Sequence, residues 1–410
     1  MKRATGILLI VAGVFIIPAG CARQPMGEFG GPMVLRRVLN TAELDYYWHV
    51  KVELFKRETL TELHLVDDRL YAMTSRNRLL SLDAPRGMWD WTAEVARPSQ
   101  PMHAPRHADG VLLPRLKERL TGENQPASDV KHNVVMLNTL MDLVIYDRLS
   151  GKELAKIPLP SPSSTTGATD GKYFYFGSIR HWYHAMNISE GLIAWELPTN
   201  AYINAPLELF DGVVYVAGTD GIFYASQSGQ SPGRLWNSSQ PMSLAMHGPV
   251  TAGFHVDQRG AFVPCEDNSL YAYSRTTGEP LWEPFICQGP LRNQLQAGRD
   301  TLFLFATGDR FYAIDVATGQ ARWSLPDGRT VLGVGKRDKR SLVYVLDKDN
   351  NLMVVDEING RVIKEVPLTG YDVFVANSNA PVIYAASKDG HIVCIRSVGA
   401  GRLTSADLTR

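Results

Sequence analysis

A motif that returns about every 40 residues constrains this chain more than any other feature. In FYAIDVATGQARW, Phe311–Trp323, an Asp is followed four residues later by Gly and four after that by Trp. The spacing recurs as Asp83, Gly87 and Trp91, as Asn187, Gly191 and Trp195, and as Ser274, Gly278 and Trp282. Copies at Asp147 and Asp356 keep the Gly and lack the Trp. Another, with its Gly displaced, sets Gln227 before Trp236, and the last places Arg396 at the anchor. The anchors stand 64, 40, 40, 47, 41, 41 and 40 residues apart. Eight copies at a nearly fixed period point to stacked modules, not to the two or three separate domains that 410 residues would otherwise suggest.

The chemistry within each copy identifies the module. Runs such as Thr301–Ala306 and Val343–Leu346 are β-branched or apolar and read as short strands. Asp220-Gly221 and Asp389-Gly390 suit tight hairpins. The anchor side chain can accept hydrogen bonds from the turn that follows it, and the Gly supplies the positive φ that closes the turn. The Trp then lies on an outer strand, where its area packs between units. About 40 residues make four short strands, one propeller blade. The predicted fold is all-β: an eight-bladed β-propeller over residues 46–398, with a C-terminal tail over 399–410.

Closure is predicted from phase. The last copy ends after its third strand, and Tyr46–Leu54 reads as a strand with no repeat before it. Trp48 lies 35 residues before the Asp83 anchor, and Trp282 and Trp323 each lie 33 before theirs. The N-terminal strand is therefore expected to complete the eighth blade and remove its open edges. The one long gap places an insertion of about 24 residues in the second blade, around Arg106–Lys131, between its first two strands. LLPRLKERL within it reads as a short basic helix, which is either functional or a tolerated surface loop.

These signatures resemble the quinoprotein-type (PQQ-like) repeat family, from Trp48 to Val398, and eight copies match the blade number usual there. The N-terminus adds an address. Lys2 and Arg3 precede an apolar run, Ile7–Ile17, too short to span a bilayer, so residues 1–20 read as a signal peptide. Ala19-Gly20-Cys21 resembles the lipobox of bacterial lipoproteins, although Pro18 stands where Leu is usual. That resemblance implies acylation of Cys21, and Ala22 after it implies delivery to the outer membrane. An ordinary secretory signal is the alternative. Residues 21–45, Gly/Pro-rich and then helical near Val34, Leu35 and Val38, read as a tether.

Lys+Arg and Asp+Glu both total 42, which removes the electrostatic footprint of a nucleic-acid binder. Candidate binding residues precede small-residue–Pro pairs at the expected starts of inner strands: His103, Asn204, His247 and Gln288. They would form a polar recognition ring at one mouth of the central tunnel, unless they are merely the polar residues a wet mouth takes. Histidines so far apart give no metal site. Cys394 stands at a position held by Ala272 and Ala313 in sister copies and reads as an inert core thiol. Cys265 and Cys287 are expected to emerge on one face in a compartment where disulfides persist. They flank strands about 9.6 Å apart. A bond therefore needs the crossover to fold back, and two unpaired thiols are the alternative.

Quinoprotein dehydrogenases, by family resemblance, hold PQQ and calcium with an adjacent Cys-Cys pair, a catalytic Asp and acidic or amide ligands. No two cysteines are adjacent here. A non-enzymatic reading without cofactor therefore leads, with a PQQ-dependent dehydrogenase-like or small-ligand-binding propeller as the alternative. Signal, repeat and little else resemble the lipid-anchored propellers of the β-barrel assembly machinery. The implied function is an envelope scaffold that binds protein partners, monomeric within a complex and facing the periplasm.

Overall fold

In the computed structural model, described for residues 33–114, 130–239, 246–337 and 340–409, the strands form eight four-stranded antiparallel sheets. Blade 1 spans Leu60–Glu94, blade 2 Arg106–Pro158, blade 3 Ala168–Pro198 and blade 4 Glu208–Asn237. Blade 5 spans His255–Ile286, blade 6 Gln296–Leu325 and blade 7 Gly328–Pro367. Blade 8 takes its first three strands from Val373–Ser397 and its fourth, β1 (Leu44–Lys51), from the other end of the chain. That strand runs antiparallel to His391–Ser397 from Leu44↔Ser397 to Lys51↔His391, with a bulge between Tyr46 and Trp48. The ring is closed as the phase of Trp48 requires, two residues earlier than the expected start at Tyr46.

Within blades, second-to-third turns and blade-to-blade crossovers share one face, here called the crossover face. First-to-second and third-to-fourth turns share the opposite face. The anchor works as its chemistry demands: Asp315 Oδ1 accepts from the N–H groups of Ala317 (3.0 Å) and Thr318 (2.9 Å). Asp147 and Asp356 do the same in their own turns.

The Trp does more than fill space. Trp282 lays its indole on Gly319 of the next blade, where an added Cβ would sit 2.4 Å from the ring, and donates Nε1–H to Val316 O at 3.2 Å. Trp48, Trp91, Trp195, Trp236 and Trp323 donate in the same way to the carbonyls of Ala84, Arg148, Gly229, Arg275 and Glu357. Each indole thus buries apolar area in a seam and satisfies one turn carbonyl beyond it. Among the described residues six of the eight seams are made this way; those between blades 2 and 3 and between blades 7 and 8 are not.

Both exceptions draw on residues from outside the repeat. At the blade 2–3 seam Ile157 faces Gly191, with Pro114 from the start of the insertion beside it and Leu113 packed on the same core. At the blade 7–8 seam the helix α1 (Arg36–Asn40) and its flanks bring Val34, Leu39, Ala42 and Leu44 into a cluster with Leu352, Val366, Leu368 and Tyr371. Leu39 is fully buried, and Tyr46 Oη donates to Val34 O at 2.8 Å. Residues 33–45, expected within a tether, therefore pack on the ring. The tail also packs: Leu403 is buried in the blade 8–1 cluster, and its N–H donates to Tyr47 Oη.

The insertion lies between the first two strands of blade 2, as expected, but its bounds differ. Arg106–Val111 is the inner strand itself, bulged between Ala108 and Val111, and the connection is 112–131. The Asp109-Gly110 pair hides this strand in the sequence, because both residues disfavour β structure. The signal peptide, Cys21, the first part of the tether and most of LLPRLKERL lie outside the described residues.

Candidate interaction face

The four residues of the expected tunnel-mouth ring sit on the crossover face, each at its own seam. The backbone N–H of His103 donates to Asn138 O at 3.0 Å. Those of His247 and Gln288 donate to Asp267 Oδ2 (2.9 Å) and Asp309 Oδ2 (3.1 Å), in the second-to-third turns of the blades they lead into. The same two carboxylates accept from Tyr271 and Tyr312. These are crossover clamps, and among the described residues no hydrogen bond or ion pair joins any two of the four. Asn204 and His247 are exposed, Gln288 likewise, and His103 is partly buried. Burial lowers the pKa of His103 against the pull of Glu62, and its Nε2 finds no partner among the described residues. The two Gly-Pro prolines, Pro249 and Pro290, stand six residues before their inner strands, His255–Asp257 and Gln296–Ala297. Pro105 and Pro206 stand one and two before theirs.

The tunnel wall is crossed by contacts that the sequence did not reveal. Arg106 on blade 2 reaches Glu208 on blade 4 at 3.5 Å, past the inner strand of blade 3, and its Nε donates to Gly167 O. On the opposite face the long 375–382 connection of blade 8 passes the inner strand of blade 7, where Asn377 N–H donates to Val331 O. It then bonds Ala297 O of blade 6 through Ser378 and Asn379. These contacts use the inner-edge backbone groups of three blades.

Cys265 and Cys287 are free thiols and both are buried. Cys265 packs in the core between blades 4 and 5 and donates to Gly248 O at 3.2 Å, while Cys287 packs in the core between blades 5 and 6. The two side chains lie in cores on opposite sides of blade 5, which is why the candidate disulfide does not form. Burial pushes each thiol up to about 12, so neither is a nucleophile near neutral pH. Cys394 is also buried and free.

What the crossover face does offer is an arc of exposed apolar side chains over blades 2 to 4. Met141 lies in the turn of blade 2 and Ile179 and Trp182 at that of blade 3, exposed by 39%, 46% and 37%. Tyr202, 53% exposed, comes from the crossover into blade 4. Their loops are interlocked: Leu159 N–H donates to Met141 O, Ile179 N–H to Pro162 O, Thr199 N–H to His181 O and Thr219 N–H to Tyr202 O. His181 stands edge-on to Tyr202 with centroids 4.4 Å apart, and Asn204 follows Tyr202 by two residues in the same crossover. Bulky side chains fixed in water by a rigid hydrogen-bonded frame are the makings of a contact surface. The signal was present in the sequence: Ile179-Arg180-His181 occupies a turn where blades 4 and 8 carry Asp-Gly. A consensus over eight copies averages such a departure away.

A closed ring of eight four-stranded blades, tied by repeated Trp docking, makes this a β-propeller protein of the PQQ-like repeat class. The chain belongs to the family described as outer membrane protein assembly factor BamB, whose model matches residues 139–244 and 226–410. Among solved structures it is similar to BamB from Moraxella catarrhalis at 15% identity and a TM-score of 0.61, over 88% of this chain and 99% of that one. It is also similar to the computationally designed Ika8 protein at 13% identity and a TM-score of 0.60, over 84% and 98%. Both likenesses concern the fold alone. No curated protein sequence matches the chain.

Proposed function

We propose that this protein is a non-catalytic scaffold of the cell envelope. In this reading it is held to the outer membrane, facing the periplasm, by acylation of Cys21 after removal of residues 1–20. It docks a protein partner in outer-membrane protein assembly through the arc of Met141, Ile179, Trp182 and Tyr202. The observation that carries the reading is the arc itself. Exposed aromatic side chains on a rigid frame cost little ordering entropy on binding, which makes them strong anchors. The family description supports the process, and the absence of adjacent cysteines speaks against a quinoprotein dehydrogenase.

The test is site-specific photocrosslinking in intact envelopes. A photoreactive residue at Trp182 or Tyr202 should capture a discrete partner, whereas one at Leu149 or Ile358, exposed at third-to-fourth turns on the opposite face, should not. Trp182→Ala with Tyr202→Ala should lower co-purification of that partner at least tenfold, since anchors of this kind contribute about 2 kcal/mol or more each. Equal capture from both faces would overturn the assignment of the site. Steady dye-linked alcohol oxidation by the purified protein with added PQQ and calcium would overturn the non-catalytic reading.

A further inference from the structure

The crossover face carries a second arc, of different chemistry, over blades 8 and 1. Lys56 and Arg57 lie in the crossover into blade 1, Arg76 in the second-to-third turn of that blade, Arg97 in its exit crossover and Lys388 in the turn of blade 8. All five are exposed, and none has an acidic partner among the described residues. Their loops form one frame. Leu60 N–H donates to Lys388 O (3.0 Å), Ser75 N–H to Thr59 O (2.9 Å), Arg76 Nη2 to Lys56 O (3.0 Å) and Asn77 Nδ2 to Arg97 O (2.7 Å).

At the centre stands Phe55, 51% exposed, with the guanidinium of Arg78 4.4 Å and that of Arg76 5.6 Å from its ring centroid. The turn that presents it is built at a cost. Arg57 takes a φ of 65°, a conformation a side chain other than glycine adopts reluctantly. Glu58 holds that turn from beneath. Its carboxylate is fully buried and accepts from Phe55 N–H (2.7 Å), Thr74 Oγ1 (2.6 Å) and Arg78 Nη1 (2.8 Å). Burial alone would raise its pKa, but these donors together hold it below the usual carboxylate range. An acid that pins a strained turn so that Phe55, Lys56 and Arg57 face water is a built surface.

We infer that this arc rests on a bilayer containing anionic headgroups, with Phe55 entering the headgroup layer and the cations pairing with phosphates. Two observations favour a bilayer over an acidic polypeptide. The charges are spread across four loops around one apolar side chain, which suits a broad anionic plane better than a narrow strand. In addition, the described chain reaches the ring at Met33, whose N–H donates to Tyr371 Oη on the crossover from blade 7 to blade 8. That is the crossover adjacent to the arc and on the same face. The inference rests on the envelope reading above for its compartment. A single lipid anchor holds weakly, and a basic patch on the same protein supplies a second attachment. Resting on this arc turns the face that bears Trp182 and Tyr202 toward the membrane, where a membrane-embedded partner would be met.

The experiment is flotation of the mature chain, residues 21–410 carrying Cys21→Ser, with vesicles of phosphatidylcholine alone or mixed with phosphatidylglycerol. Binding should be stronger to the mixed vesicles and fall as salt is raised. Lys56→Gln, Arg57→Gln and Lys388→Gln should each weaken it by about fivefold. Phe55→Ala should weaken it as well, and the control pair Lys152→Gln with Lys172→Gln, on the opposite face, should leave it unchanged. Equal binding to both vesicles, equal losses in the control pair, or capture by polyglutamate with no preference for phosphatidylglycerol would each overturn the inference. Mass analysis of the N-terminal peptide of the wild-type protein reports acylation of Cys21 separately. Failure of the anchor is thus distinguishable from failure of the arc.

Discussion

The seam between blades 5 and 6 and the seam between blades 7 and 8 solve one problem by different means. In the first, Trp282 of the repeat lies on Gly319 and bonds the carbonyl of Val316. In the second the repeat supplies no Trp, and Val34, Leu39 and Ala42, from outside any blade, fill the space against Leu368 and Tyr371. A seam needs a large apolar group locked in place, and the source of that group is free. The consequence is a division of labour. Seams made by the repeat are self-contained, whereas the blade 7–8 seam depends on the segment that leads from the N-terminus into β1. The blade 2–3 seam depends in part on the start of the 112–131 connection, through Leu113 and Pro114.

Removing Leu44–Lys51 should have the largest effect, because it opens the blade 8 edge and takes Trp48 out of the blade 8–1 seam at once. The ring should lose cooperative thermal unfolding or aggregate; a variant that melts like the parent would break the account of closure. Trp323→Ala should cost about 3–5 kcal/mol, as a buried aromatic truncation that also strands a turn carbonyl. Leu39→Ala should cost about 2–5 kcal/mol although it lies outside every blade. Denaturant unfolding of the two variants measures the two kinds of seam side by side. A Leu39→Ala cost near zero would mean that the blade 7–8 seam stands without α1.

The glycines give a finer contrast. Gly319 and Gly191 hold φ values of 70° and 63°, so an alanine at either is strained by about 1–2 kcal/mol. At Gly319 the added Cβ also meets the Trp282 ring at 2.4 Å, whereas at Gly191 its nearest neighbour, Ile157, is 3.5 Å away. Gly319→Ala should therefore exceed Gly191→Ala by more than the experimental error in unfolding midpoints. Equal losses would show that backbone conformation, and not indole docking, is what these positions protect.

How much of this was legible in the sequence follows from the same division. The repeat was legible because each blade solves its local problem with the same residues: Asp315 caps its turn, Gly319 closes it and Trp323 docks onward. Closure was legible because Trp48 keeps that phase. The non-repeat segments were not, since the apolar positions of Val34 and Leu39 state that something is buried without stating where. Nor was the inner strand Arg106–Val111, whose β-disfavouring Asp-Gly is overridden by pairing with His132–Asn138. The face assignment of Cys265 and Cys287 failed for a related reason. Sharing one end of a blade does not mean sharing one side of its sheet, and the two side chains fill different interblade cores.

The smallest expected effect concerns how β1 is held in blade 8, and it depends on pH. His49 of β1 and His391 of the adjoining strand share a hydrogen bond, Nε2 to Nδ1, of 2.9 Å, with nearly parallel rings whose centroids are 5.1 Å apart. One nitrogen must accept, so the pair cannot keep this bond with both rings charged. Burial lowers the pKa of His49, with repulsion from His391 and Lys51 adding to it. Burial likewise lowers that of His391, partly offset by Asp389. Both folded-state values therefore lie below those of the unfolded chain. Where the unfolded state binds more protons, stability falls as pH falls. The contribution is complete above the unfolded value of about 6.5 and is lost on acidification from there toward the folded values. His103, His107 and His184 are also lowered by burial and add slopes of the same sign. The measurement is thus a difference. The urea midpoint of the wild type should drop more between neutral and mildly acidic pH than that of the variant carrying His49→Gln and His391→Gln. Equal slopes would mean that β1 is held without regard to the charge of this pair.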